Sequence, residues 1–135
     1  MASHALADAD EAVLAAPDNA YRWHNLGEAQ VLNENFGAAV TAYEESVRLG
    51  LPPRFFWYQF NYFVALNAVG QHDRVLELTD PLVAEVESLA EVHIERGHAL
   101  KSLGRIEEAV ESYELALLYA PDREDIRIIL EQLTA

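Results

Sequence analysis

Five histidines stand among twenty-three aspartates and glutamates, a composition that would suit metal binding or proton transfer if the spacing allowed it. His93 and His98 are five residues apart, which on a helix puts them on different sides, and no His-Glu-x-x-His or three-ligand pattern occurs. His24 and Glu28 form an i, i+4 pair, the spacing of a simple contact along a helix. Glu107-Glu108 is a carboxylate pair, but neighbours in a helix diverge, and the pair reads as part of a solvated face. The absence of cysteine removes disulfides, zinc knuckles and thiol catalysis. There is also no glycine-rich phosphate loop, nucleophile elbow or triad. The sequence therefore predicts no enzyme, no metal site and no cofactor.

Recognition chemistry is better represented. The stretch Phe55-Phe56-Trp57-Tyr58-Gln59-Phe60-Asn61-Tyr62-Phe63 holds seven aromatics in nine positions. Taken as helix, such a run points rings in every direction, so some face the core and others a groove or a partner. Asp and Glu outnumber Lys and Arg by 23 to 9, a formal charge of −14. That field repels phosphate backbones and anionic headgroups and attracts basic partners. The expected partners are proteins or peptides, with no nucleic acid and no membrane. No run reaches the roughly 18 apolar residues of a membrane span. Met1-Ala2-Ser3-His4 has neither the basic nor the apolar region of a leader. A cytoplasmic location is the expectation.

The elements that would position these residues repeat along the chain. Ala5, Ala39, Val75 and Ala109 are spaced 34, 36 and 34 apart, and matching residues follow four and seven positions later. A period of this size indicates stacked units. Each unit holds two helical stretches joined by a short turn, as in Ala90–Leu103, Gly104-Arg105 and Ile106–Tyr119. Trp23-x-x-Leu26-Gly27 with Ala39-x-x-x-Tyr43, and Gly97-x-x-Leu100 with Ala109-x-x-x-Tyr113, Ala116 and Pro121, resemble the tetratricopeptide repeat. Small residues sit where paired helices approach most closely and large ones fill the space beside them.

The resemblance implies an all-α, right-handed superhelical stack of antiparallel hairpins in a single domain of about eight helices. The frame assigns 1–19 to a half repeat, 20–53 to a repeat, 56–89 to a divergent repeat, 90–123 to a repeat and 124–135 to a C-terminal capping helix. Arg54 and Phe55 are extra residues ahead of the divergent repeat. Ser88-x-x-Glu91 reads as a capping box, and Asp18-Asn19 and Asp122 as further caps. Pro81 falls inside a helical stretch, where a break or kink is expected.

In this family the first helix of each hairpin lines a concave groove. Carried over, that implies groove positions for Tyr21, His24, Asn25, Glu28 and Leu32, then Trp57, Phe60, Asn61 and Val64, then Glu91, Ile94, Glu95, His98 and Lys101. The family's clamp for acidic chaperone tails needs Lys, Asn, Asn, Lys and Arg at slots held here by His24, Glu28, Asn61, Glu91 and Glu95, and only Asn61 matches. The three carboxylates would repel such a tail. The expected ligand is instead a basic peptide with apolar or aromatic anchors, held by a non-enzymatic interaction module. The alternative is a self-associating assembly unit. It would use the aromatic and C-terminal apolar surfaces and the chain ends, with Ile126, Ile128, Ile129 and Leu133 more apolar than a capping helix needs.

Overall fold

Proline and glycine punctuate the chain where the helices stop. A computed structural model describes residues 2–135, with side chains from residue 5 onward. Met1, where the half repeat was expected to begin, lies outside the described residues. Among the described residues there are eight α-helices: α1 (Ala2–Ala15), α2 (Ala20–Leu32), α3 (Phe36–Arg48), α4 (Asn61–Ala68), α5 (His72–Glu85), α6 (Ala90–Ser102), α7 (Ile106–Tyr119) and α8 (Glu124–Thr134). A 3-10 helix, Pro53–Trp57, precedes α4. No strand occurs among the described residues, so the fold is the expected all-α arrangement of tetratricopeptide-like hairpins. By internal contacts the chain divides into two compact units, one up to Val69 and one from Gly70 to Ala135.

The first unit is built on the α2–α3 hairpin, flanked by α1 and α4. Tyr43 of α3 is fully buried, and Gly27 of α2 makes room for it: a Cβ on Gly27 would meet the Tyr43 ring at 2.7 Å. The second unit repeats the device in the α6–α7 hairpin, flanked by α5 and α8. There a Cβ on Gly97 would meet the buried Tyr113 ring at 2.6 Å. A second device recurs at the start of each first helix. Trp23 Nε1 donates to the Pro17 carbonyl (2.7 Å), and His93 Nε2 donates to the Glu87 carbonyl (2.6 Å), tying each helix to the preceding turn. His93 is thus a structural donor.

Three local expectations need correction. Asn19 caps α2, its Oδ1 accepting from the Tyr21 and Arg22 amides at 3.0 and 3.2 Å. By contrast, Leu89 and Arg123 occupy the N-cap positions of α6 and α8 and make no side-chain cap bond. Ser88 and Asp122 therefore stand one residue too early to cap. At Pro81, α5 continues without the expected break. Thr79 and Leu82 are buried on the two sides of it, and Arg96 of α6 holds both the Thr79 hydroxyl and the Asp80 carboxylate at 2.7 Å.

The largest departure is the aromatic stretch, which is mostly not α-helix. Pro52 is extended, as a residue before proline prefers, and Pro53 opens the 3-10 helix, closed by a Phe55 amide to Pro52 carbonyl bond of 3.0 Å. Trp57 lies at its end and Phe60 in the turn after it, so α4 begins only at Asn61 and is eight residues long. Bulky rings in succession favour this short, tight element over a full α-helical face.

Candidate functional site

In the first unit the 3-10 helix lays Phe55 and Phe56 against α2. His24, 2% exposed, is enclosed by the rings of Phe55 (centroids 4.7 Å), Tyr43 (5.4 Å) and Phe56 (5.7 Å). Phe55 also meets Tyr21 edge to face at 5.6 Å. Tyr21 remains 54% exposed, and Asn25, one turn further along α2, is exposed beside it. Trp57, Phe60 and Val64 are half-buried and Tyr58 is 76% exposed.

Glu28 joins three helices. It accepts hydrogen bonds from the Tyr43 hydroxyl of α3 and from Asn61 Nδ2 of α4 (3.0 Å), and lies 3.6 Å from His24 Nε2 on its own helix. In the buried setting these partners push the Tyr43 hydroxyl well above the usual phenol range, first through desolvation and then through the Glu28 carboxylate. Burial pushes His24 below its ordinary 6.5, against the opposing pull of Glu28. His24 Nδ1 and Trp57 Nε1 are both buried without a hydrogen-bond partner.

A pH dependence follows. The folded state prefers neutral His24, while the unfolded chain takes up a proton near 6.5. The stability this group contributes is complete above that pH and is lost as the pH falls below it. Urea unfolding of the intact chain should show a midpoint that declines from pH 7 toward pH 5, and His24→Phe should flatten that decline. An equally steep decline in the variant would remove His24 from the account.

In the second unit the expected groove residues are drawn into the structure itself. Glu91 pairs with Arg123, which also holds Asp125 at 2.9 Å and keeps that carboxyl below its usual range. Ile94 is 2% and Glu95 8% exposed. His98 is half-buried and hydrogen-bonded to the Tyr113 hydroxyl at 2.7 Å, in the slot that Glu28 fills beside Tyr43. Its pKa too is lowered by burial and by nearby Lys101. On α8, Ile126 is 1% exposed and belongs to the core. Ile128 is 46% exposed, and Ile129 and Leu133 are half-buried.

The structure thus keeps Tyr21, Asn25 and Glu28 along α2, joins Glu28 to Asn61 of α4, and buries His24 among Phe55, Phe56 and Tyr43. Sequence reasoning passed over Phe55, which caps His24, because the repeat frame treats it as one of two extra residues. That insertion was itself the available signal. Among the described residues no group of three or more His, Cys, Asp or Glu could hold a metal ion, and no helix is long and apolar enough to cross a membrane.

Comparison with known proteins agrees with this architecture. A family model described as tetratricopeptide repeat matches residues 20–49 and 90–123. The chain is 29% identical over 101 residues to the small glutamine-rich tetratricopeptide repeat-containing protein 2 of Mycosarcoma maydis, a match covering 75% of this chain and 28% of that protein. Among solved structures, the fold is similar to MamA (residues 41 to the end) from Desulfovibrio magneticus RS-1, with a TM-score of 0.85 at 18% identity. That match covers 98% of this chain and 73% of the other. It is also similar to YrrB, described as a tetratricopeptide repeat protein with an unusual peptide-binding site. There the TM-score is 0.75 at 22% identity over 93% of this chain and 63% of that one. Residues 20–49 and 90–123, the two complete hairpins, are thus tetratricopeptide repeats, carried on a fold shared with other tetratricopeptide-repeat proteins.

Proposed function

We propose that the first unit receives a peptide on the face formed by Tyr21 and Asn25 of α2 and by Phe55 and Trp57 of the 3-10 helix. The observation that carries this reading is Tyr21. It is 54% exposed while its ring edge packs on Phe55, so a large aromatic surface is held in place yet left open to solvent. Held aromatics lose little entropy on binding, which makes them effective anchors. Glu28, with 27% of its side chain exposed, and the charge of −14 favour a ligand with an aromatic or apolar anchor next to Lys or Arg. The repeat serves protein–protein interaction in general, and YrrB shows by its description that the fold accommodates peptides.

The test starts from peptides selected on the intact chain out of a randomised library. Tyr21→Ala should weaken their binding by about tenfold or more, the loss expected of an aromatic anchor. Helicity should remain unchanged, since the side chain is largely outside the core. Selected peptides that bind Tyr21→Ala and Trp57→Ala as well as the parent chain would refute the assignment.

A further inference from the structure

From α7 we infer a second docking surface, on the outward side of the second unit, that fits a basic amphipathic helix of a partner protein. Glu107, Glu111, Glu114, Leu115 and Leu118 lie at i, i+4, i+7, i+8 and i+11, one stripe along the helix. Two open clefts lie along it. One, of about 420 Å³, is lined by residues 104–108, and the other, of about 500 Å³, by Glu111, Glu114, Leu115 and Leu118. Leu118 is 67% exposed, and Ile106 at the other end is 39% exposed.

The repeat does not require this stripe. The positions that build the hairpin are Ala109, Tyr113 and Ala116, all buried on the opposite side of α7. In the register of Leu115 and Leu118, α3 carries Glu45 and Arg48, which pair with each other, and α5 carries Pro81 and Ala84. On α1 the same slots hold Glu11 and Leu14, so a single leucine recurs there without a second apolar residue beside it. Of α1, α3, α5 and α7, compared over their described residues, α7 alone combines two leucines three apart with a row of carboxylates. Glu108, outside the stripe, pairs with Arg105, while Glu107, Glu111 and Glu114 have no ion pair among the described residues.

Charge decides the occupant. A second copy would set the same row of glutamates against this one, in chains that each carry −14. A helix with Lys or Arg flanking a leucine-like ridge would place its cations on the unpaired carboxylates and its apolar side chains on Leu115 and Leu118. The stripe spans about 16 Å at 1.5 Å per residue, matching roughly three turns of such a helix.

The probe is a 14-residue helix-forming peptide with leucine on one face and lysine on the flanks, titrated into the intact chain at low and moderate salt. Amide shifts should concentrate at residues 107–118, and affinity should fall with salt. Leu118→Ala should weaken binding by about fivefold or more, in the range of a truncated apolar anchor. Leu14→Ala, the same register on α1, should change nothing. The inference is overturned by any of three results. Shifts confined to the Tyr21–Asn61 face would place the peptide on the other surface. Equal weakening by Leu118→Ala and Leu14→Ala would mean attraction by the acidic chain as a whole. A peptide-free dimer that Leu118→Ala dissociates would make the occupant another copy.

Discussion

Gly97→Val is expected to destabilise the second unit by about 3 kcal/mol, at the upper end of the range for overpacking a filled core. In an exposed helix, exchanging glycine for another residue gains a few tenths to about 1 kcal/mol, because glycine loses the most backbone freedom on folding. Here that gain is outweighed. A Cβ at 97 would lie 2.6 to 2.9 Å from three atoms of the Tyr113 ring. The ring has no room to yield, since Tyr113 is 0% exposed and its hydroxyl is tied to His98 at 2.7 Å. Amide exchange of α6 and α7 in the intact chain reads the local loss. The decisive control is the background Tyr113→Leu, in which the ring is gone and adding Val at 97 should cost far less than in the parent. Equal cost in both backgrounds would show that the ring contact is not the cause.

The same contact explains why the hairpins were legible in the sequence. Gly27 with Tyr43 and Gly97 with Tyr113 are two copies of one steric solution, a missing side chain opposite a large ring, and each appears as a residue pair at fixed spacing. The two hairpins, α2–α3 and α6–α7, fall where the repeat pattern puts them because their packing is encoded locally. The stretch from Phe55 to Phe60 escaped it because Pro52-Pro53 and consecutive bulky rings override helical periodicity, and the repeat has no slot for two extra residues. The groove face suffered from a different limit. Spacing shows which side of a helix a residue occupies but not what lies over it, so His24 was read as accessible although Phe55 and Phe56 cover it. Similarly, Glu91 is taken up by Arg123, 32 residues later in the chain. Long-range pairings of that kind leave no periodic trace.

Glu28→Ala should lower the stability of the first unit by about 2–4 kcal/mol, because it removes the acceptor on which α3 and α4 converge. Hydrogen bonds to a charged group contribute about 1.5–3 kcal/mol, and a buried donor left without its acceptor adds a penalty of about 1–3 kcal/mol. Tyr43 bears most of this. It is 0% exposed and its hydroxyl has Glu28 as acceptor. Asn61 loses its bond to Oε2, loosening the start of α4, whose N-cap Phe60 offers no side-chain bond of its own. Glu28→Gln separates acceptor chemistry from side-chain packing. Its carbonyl oxygen can still take the Tyr43 proton, whereas its NH2 group cannot accept from Asn61, so the loss should be about half that of the alanine variant. The double variant Glu28→Ala with Tyr43→Phe supplies the third comparison. Without the hydroxyl there is no orphaned donor, and the alanine should cost measurably less than in the parent. Chemical unfolding of five chains (the parent, Glu28→Ala, Glu28→Gln, Tyr43→Phe and the double variant) at pH 7.5, where His24 is neutral, reads all these differences. If Glu28→Ala and Glu28→Gln were equally harmless, the carboxylate would be a surface group that merely lies near Tyr43, and α2, α3 and α4 would owe their association to ring packing alone.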